Sequence, residues 1–217
     1  MKLLAINGSP RKNWNTAQLL DNAVAGAASQ GAETELIHLV DLSFKGCVSC
    51  FACKRFGSPS YGRCAVNDEL TPVLKKIEQV DALVLGSPIY LGAASSAMRA
   101  CLERMLFQYL VYDDKYSTLF PRRIATGLIY TMGVPEDLMH KMGYNAQFRI
   151  IETLMNRMLG TVESLYSTDT YQFDDYAKYN APRFDPAAKA KRREVQFPLD
   201  CQAAYELGIR LVNNRED

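Results

Sequence analysis

The feature that most restricts how this chain can fold is a near-strict alternation of short apolar runs with segments of helical period. Leu3-Leu4-Ala5-Ile6 is a four-residue apolar run that stops at Asn7-Gly8, the pattern of a strand buried on both faces of a parallel sheet. Thr16 to Ser29 then repeats Ala17, Leu20, Ala23, Val24 and Ala27 at helical spacing, with Asn15 or Thr16 placed to cap the first turn. Glu33 to Leu39 alternates charged and apolar residues, as a strand near a sheet edge does. Asp68 to Gln79 carries Leu70, Val73, Leu74 and Ile77 on one helical face, with Asp68 as N-cap and Pro72 in the first turn. Ala82 to Leu85 reads as a third strand ended by Gly-Ser-Pro, residues 96–111 as a helix, and Ile124 to Tyr130 as a fourth strand. Phe148 to Leu159 is helical, Val162 to Ser167 a fifth strand, and Cys201 to Asn213 a closing helix. Alternation of this kind calls for right-handed crossovers and predicts a parallel sheet covered by helices on both faces, a three-layer α/β sandwich.

A length of 217 residues suits one well-buried core, so the expected organisation is one domain over residues 1–217. Two segments fall outside the alternation: a cysteine-rich loop at 46–66, and an excursion at 169–197 rich in Tyr, Asp, Pro and basic residues. The net charge of +1 generates no strong field, which argues against nucleic acid or an anionic membrane as partner and leaves small molecules as the default. No window approaches the ~20 apolar residues of a membrane span, and the opening run is too short for a signal peptide, so a soluble, cytoplasmic protein is expected.

Three loops at the carboxyl ends of strands carry the candidate chemistry. Gly8-Ser9-Pro10-Arg11-Lys12-Asn13-Trp14-Asn15-Thr16 joins the first strand to the first helix, where backbone N–H groups and the helix dipole attract an anion. Ser9, Asn15 and Thr16 add polar donors there, and Arg11 adds charge. The loop lacks both the Gly-x-Gly-x-x-Gly of a dinucleotide site and the Gly-Lys-Ser/Thr of a nucleoside triphosphate site. Ser87-Pro88-Ile89-Tyr90-Leu91-Gly92 ends the third strand and Thr131-Met132-Gly133 the fourth, on the edge where open α/β sheets bind ligands.

Cys47-x-x-Cys50-x-x-Cys53-x(10)-Cys64 brings four thiols within eighteen positions. Such spacing suits a [4Fe–4S] cluster or tetrahedral zinc, and unmetallated thiols are the third reading. Cys101 and Cys201 sit in helical patterns as buried structural thiols. His38 and His140 lie in no metal-ligand spacing and beside no nucleophile, and hydrolase signatures are missing.

Gly-Ser-Pro-Arg-x(3)-Asn-Thr after the first strand, Gly-Ser-Pro-Ile-Tyr-x-Gly after the third, and the cysteine cluster between them resemble the NAD(P)H-dependent FMN reductases, particularly their iron–sulfur flavoprotein branch. The resemblance implies a flavodoxin-like fold with a five-stranded parallel sheet of order 2-1-3-4-5. It implies FMN, its phosphate gripped at Ser9, Arg11, Asn15 and Thr16, and its isoalloxazine along Pro88, Ile89, Tyr90 and Gly92. Thr131, Met132 and Gly133 match less specifically. It also implies a [4Fe–4S] cluster on Cys47, Cys50, Cys53 and Cys64, although the family's fourth cysteine follows the third more closely than it does here.

The function expected is an FMN-dependent oxidoreductase, an NAD(P)H-dependent FMN reductase that passes electrons from NAD(P)H or a redox protein to a small acceptor. The chemistry resides on the flavin, with no catalytic side chain required. The alternatives are an iron–sulfur flavoprotein shuttling electrons between protein partners and a flavin-binding protein without turnover. The apolar run Met105 to Tyr112 extends past an ordinary amphipathic stripe and needs a cover, either a second subunit or the 169–197 excursion. The resemblance favours a homodimer or homotetramer with the flavin near the interface.

Overall fold

The computed structural model describes residues 1–214. Its elements are β1 (Lys2–Asn7), α1 (Asn15–Ser29), β2 (Glu33–His38), α2 (Leu70–Ile77), β3 (Ala82–Tyr90), β4 (Ala93–Ala94) and α3 (Ser96–Phe107), then β5 (Ala125–Thr131), α4 (Glu136–Lys141), α5 (Tyr144–Met158), β6 (Val162–Ser167), α6 (Pro186–Val195) and α7 (Phe197–Asn213).

Five strands run parallel in the order β2-β1-β3-β5-β6, the winding expected of a flavodoxin-like sheet. The count of five needs correction, because the sheet has a sixth strand: β4 turns back antiparallel on β3, pairing Ala94 with Ile89 and Ala93 with Tyr90. It exists because β3 does not stop at Gly-Ser-Pro. β1 leaves β3 at the Asn7–Gly86 pair, whereas β5 continues to pair as far as Pro88 with Thr131. Pro88 therefore sits where one side of the strand is already unpaired, and its missing N–H costs no ladder bond there.

Alternation along β1 sends Leu4 and Ile6 to one face of the sheet and Leu3 and Ala5 to the other. The first face packs against α2, α3 and α5 through residues such as Leu74, Leu102 and Phe148, the second against α1 and α7 through Leu20, Leu207 and Leu211. Where α1 crosses α7 the backbones nearly touch. A Cβ on Gly26 would lie 1.9 Å from the Tyr205 carbonyl oxygen, and one on Gly208 1.9 Å from that of Ala23. Any larger residue would force the helices apart.

Several boundaries differ from expectation. The capping position of α1 is Trp14, and no side chain caps it, because Asn15 and Thr16 bond elsewhere. Helix α2 starts at Leu70, with the Asp68 carboxylate accepting the Leu70 N–H but mainly held by Arg104. Helices α4 and α6 were not anticipated. The second arises inside the 169–197 excursion, where Asp185 accepts the N–H groups of Ala187 and Ala188 ahead of Pro186 in the first turn. Much of the Met105–Tyr112 run is buried within the chain, its cover coming from the cysteine loop rather than the excursion: the Lys54 ammonium donates to the Gln108 and Leu110 carbonyls, and Phe51 meets Phe107 edge-on. Among the described residues no helix is long and apolar enough to cross a membrane.

Candidate functional site

Because β1, β3 and β5 are neighbours, the loops at their carboxyl ends lie side by side on one rim. The residues expected to hold the flavin all fall at this rim: Ser9 and Arg11 in the loop after β1, Asn15 and Thr16 in the first turn of α1, Pro88, Ile89 and Tyr90 at the end of β3 with Gly92 in the turn that follows, and Thr131 at the end of β5 with Met132 and Gly133 just beyond it.

The first loop is built around short side chains. Asn7 Oδ1 accepts the Ser9 N–H at 2.8 Å, and the buried Ser9 hydroxyl accepts the Arg11 N–H and donates to the Arg11 carbonyl. The Thr16 and Thr131 hydroxyls meet at 2.7 Å, tying the first loop to the third. Ser95 caps α3 and donates to the Gly8 carbonyl at 2.6 Å, and a Cβ on Gly8 would sit 2.8 Å from that of Met98. The first intrahelical bond of α1 runs from the Gln18 N–H to the Trp14 carbonyl, so the N–H groups of Asn15, Thr16 and Ala17 precede it. With no side-chain cap and no acid in the first turn, the positive end of a fifteen-residue helix is left facing the rim. The donor set fits an anion such as the phosphate of FMN.

The excursion grips this loop from outside. Arg11 lies over the Trp14 ring and donates to the Gln172 carbonyl at 2.9 Å. Trp14 Nε1 and Asn15 Nδ2 both donate to the Tyr171 carbonyl, and Arg193 on α6 donates to Asn15 Oδ1 and Gln18 Oε1. Lys189, buried on the same helix, pairs with Asp169 and donates to the Gly133 carbonyl. The Arg11 and Asn15 side chains are thus engaged by protein carbonyls, and the backbone N–H groups are the donors still directed at the rim. Trp14, Lys189 and Arg193 are the supports that sequence reasoning missed. The available signal was Asp185-Pro186, which announces a helix able to carry two basic residues back over the loop.

In the second loop Leu91 is fully exposed at φ +51° and Tyr90 is 42% exposed. Gly92 follows at φ +83°, where a Cβ would also come within 3.1 Å of the Tyr144 ring, so glycine is required on both counts. The third loop is tied down by backbone bonds: Met132 donates its N–H to the Ser167 carbonyl, and its carbonyl accepts the Thr170 N–H.

The four clustered cysteines line one cavity with Arg104, Phe107 and Gln108. The long spacing to Cys64 is closed by the Gly62 N–H on the Cys53 carbonyl at 3.0 Å and the Cys64 N–H on Gln108 Oε1 at 2.9 Å. Arg104 is buried, donates to both Asp68 oxygens and to the Lys45 and Val66 carbonyls, and keeps an Nε–H without a partner. Burial pushes the Cys53 thiol up against the pull of Lys54, and takes Cys101 up to about 12 against that of Arg104. Ser49 and Phe51 adopt left-handed backbone at φ +54° and +55°.

The thiol cavity is only about 20 Å³, the room of a single water molecule. Among the described residues no three His, Cys, Asp or Glu side chains are placed to hold a metal ion. The donor types suit a cluster, but the space in this arrangement does not. Nor does the cavity stand beside the phosphate loop. Arg104 is nine residues along α3 from the cap at Ser95, roughly 14 Å at about 1.5 Å per residue. The cysteine loop leaves the rim after β2 and descends along α3.

Comparison with known proteins adds to this geometry. A family model described as NADPH-dependent FMN reductase matches residues 1–133. An iron–sulfur flavoprotein of Methanocaldococcus jannaschii is 36% identical over 104 residues, 48% of this chain and 51% of that protein. One of Archaeoglobus fulgidus is 39% identical over 104 residues, 48% of each chain. The chain thus spans about half the length of these relatives. Among solved structures, an NAD(P)H:quinone oxidoreductase from Methanothermobacter marburgensis superposes with a TM-score of 0.74 at 13% identity, covering 97% of this chain and 98% of that one. It shares the fold.

Proposed function

The chain belongs to the NADPH-dependent FMN reductase family, and from that premise we propose that it is an FMN-dependent oxidoreductase passing electrons from NAD(P)H, or from a redox protein, to a small acceptor in the cytoplasm. The observation that carries this reading is the uncapped, acid-free N-terminus of α1, set at the end of β1 beside the loops that follow β3 and β5. FMN supplies the redox chemistry when bound, and the protein supplies position and electrostatics. The N–H groups at the start of α1 take the phosphate, with Ser9, Arg11, Asn15 and Thr16 holding the loop in shape. Pro88, Ile89, Tyr90 and Gly92 would lie along the ring, with Thr131, Met132 and Gly133 as further holding residues. Anaerobic mixing of FMN-loaded protein with NADPH tests the reading. Bleaching of the flavin band within seconds supports it, and a flavin that neither NADPH nor NADH bleaches removes the reductase assignment.

A second reading, an electron carrier of the iron–sulfur flavoprotein kind, is favoured by the convergence of Cys47, Cys50, Cys53 and Cys64 on one cavity. It requires the loop to open, since the cavity has room for only one water. Iron retained after anaerobic reconstitution of wild type and lost in each Cys→Ala variant supports it; wild type that retains none rules it out. Assembly as a homodimer or homotetramer belongs to both readings and is checked by light scattering at micromolar concentration.

A further inference from the structure

A second cavity opens between α3 and α5, on the sheet face away from α1, with a volume of about 300 Å³. Met98, Leu102, Phe148 and Leu154 make its walls apolar, and Ser87, Ala93 and Ala94 close the end nearest the β3–β4 turn. It shares Arg99, Leu102, Ile151 and Leu154 with a further apolar hollow of about 420 Å³ that reaches Phe51 and Phe107. Pockets of this size, apolar with a few fixed polar groups, are characteristic of small-molecule sites.

One of those polar groups is unspent. Tyr130 lines the cavity, is 4% exposed, and has a buried hydroxyl without a hydrogen-bond partner. Its ring is stacked on Phe148 at 4.5 Å and on Tyr166 at 5.7 Å, so the hydroxyl cannot swing away to find one. The carboxylate whose charge reaches it, Glu152, is already shared by the hydroxyls of Ser164 and Tyr166. Leaving a buried hydroxyl unpaired is unfavourable, so a ligand that accepts its proton gains the bond without displacing another. Burial, reinforced by the Glu152 charge, raises the Tyr130 pKa, so at neutral pH the group is an O–H donor. Arg99 also lines the cavity, but it is the Glu152 charge that bears on the Tyr130 hydroxyl and disfavours an anion there, so a neutral acceptor is the better match. Stacked rings and branched aliphatic walls suit a flat molecule.

We propose that the cavity between α3 and α5 binds a neutral aromatic carbonyl compound of one or two rings, its oxygen accepting the hydrogen bond of the Tyr130 hydroxyl. No residue of the phosphate loop lines the cavity, although Met98 on its wall packs against Gly8, and the proposal does not depend on the flavin assignment.

The test uses 1-indanone and its carbonyl-free counterpart indane, titrated calorimetrically into the full chain with and without saturating FMN. Wild type is expected to prefer indanone about tenfold, with FMN making no difference. Tyr130→Phe keeps the ring stack and is expected to bind both compounds alike, at the indane affinity. Leu154→Trp fills the cavity from a half-buried position and is expected to bind neither while retaining native circular dichroism. Failure of wild type to bind indanone at millimolar concentration, displacement of indanone by FMN, or an undiminished indanone preference in Tyr130→Phe would each overturn the proposal.

Discussion

The loop after β1 and the loop after β2 leave adjacent strands at the same rim, yet they are finished in opposite ways. The first, residues 8–16, is held on both sides: from within by Asn7, Ser9 and Thr16, and from outside by Tyr171, Gln172 and Arg193. What it leaves open is one helix end. The second, residues 46–66, exposes Val48, Phe51, Phe56 and Tyr61, holds two non-glycine residues in left-handed backbone, and depends for its anchorage on the buried Arg104. One loop is braced with a helix end left open, while the other closes tightly on its own thiols. The difference implies that ligand binding at the first costs little rearrangement, and that loading a cluster at the second costs much more.

The largest expected effect breaks the second loop. Arg104→Leu leaves Asp68 uncompensated in a site that is 14% exposed, and should destabilise the protein by about 3–5 kcal/mol in urea titration, with the thiols becoming reactive. Adding Asp68→Leu should recover a large part of that loss, because an apolar pair can replace a buried ion pair. No recovery would show that the Lys45 and Val66 carbonyls, rather than the ion pair, are what Arg104 holds.

Next in size is the first loop. Ser9→Ala combined with Arg11→Ala removes bonds that shape this loop and should weaken FMN by about 1–2 kcal/mol, roughly 5- to 30-fold, with a smaller loss in urea stability. Equal FMN affinity in the double variant, by fluorescence titration, would show that neither side chain shapes the phosphate site.

Arg193→Ala should cost about 1 kcal/mol, since its bonds to Asn15 and Gln18 are partly solvated. If the excursion preorganises the loop, this loss appears in FMN affinity more than in thermal midpoint.

The last effect is one of pH. Burial works against the Asp68 charge, but the hydrogen bonds and charge of Arg104 outweigh it and hold the carboxyl below its ordinary value. A depressed folded pKa contributes stability that is complete above the unfolded value, about 3.9, and is lost as pH falls through the folded one. Thiol exposure in the second loop should therefore rise on acidification below about pH 4, whereas Arg104→Leu, already lacking the ion pair, should show no such step.

How much of this was legible in the sequence follows the same division. The strand–loop–helix at 3–29 announces itself because a buried strand must be an apolar run and a helix must repeat at its own period. The winding order came with the family resemblance, since alternation alone fits more than one order of a doubly wound sheet. The end of β3 was misread because Gly86-Ser87-Pro88 looks like a stop, and only the departure of β1 at Asn7 explains why the strand continues. Helix α6 was hidden by aromatic and acidic neighbours despite its Asp185-Pro186 start. The role of Arg104 had no local signal, since a charged residue in an amphipathic helix reads as solvent-facing until its partner 36 positions away is known. The four cysteines were legible as a set, but not the volume they enclose.

The central claim is that this chain anchors a flavin by its phosphate at the N-terminus of α1. It is tested most directly by titrating the apo-protein with FMN and with riboflavin, which differ only in that phosphate. FMN should bind at least about 100-fold more tightly, equivalent to about 2.7 kcal/mol contributed by the phosphate. Equal affinities for the two flavins would contradict it.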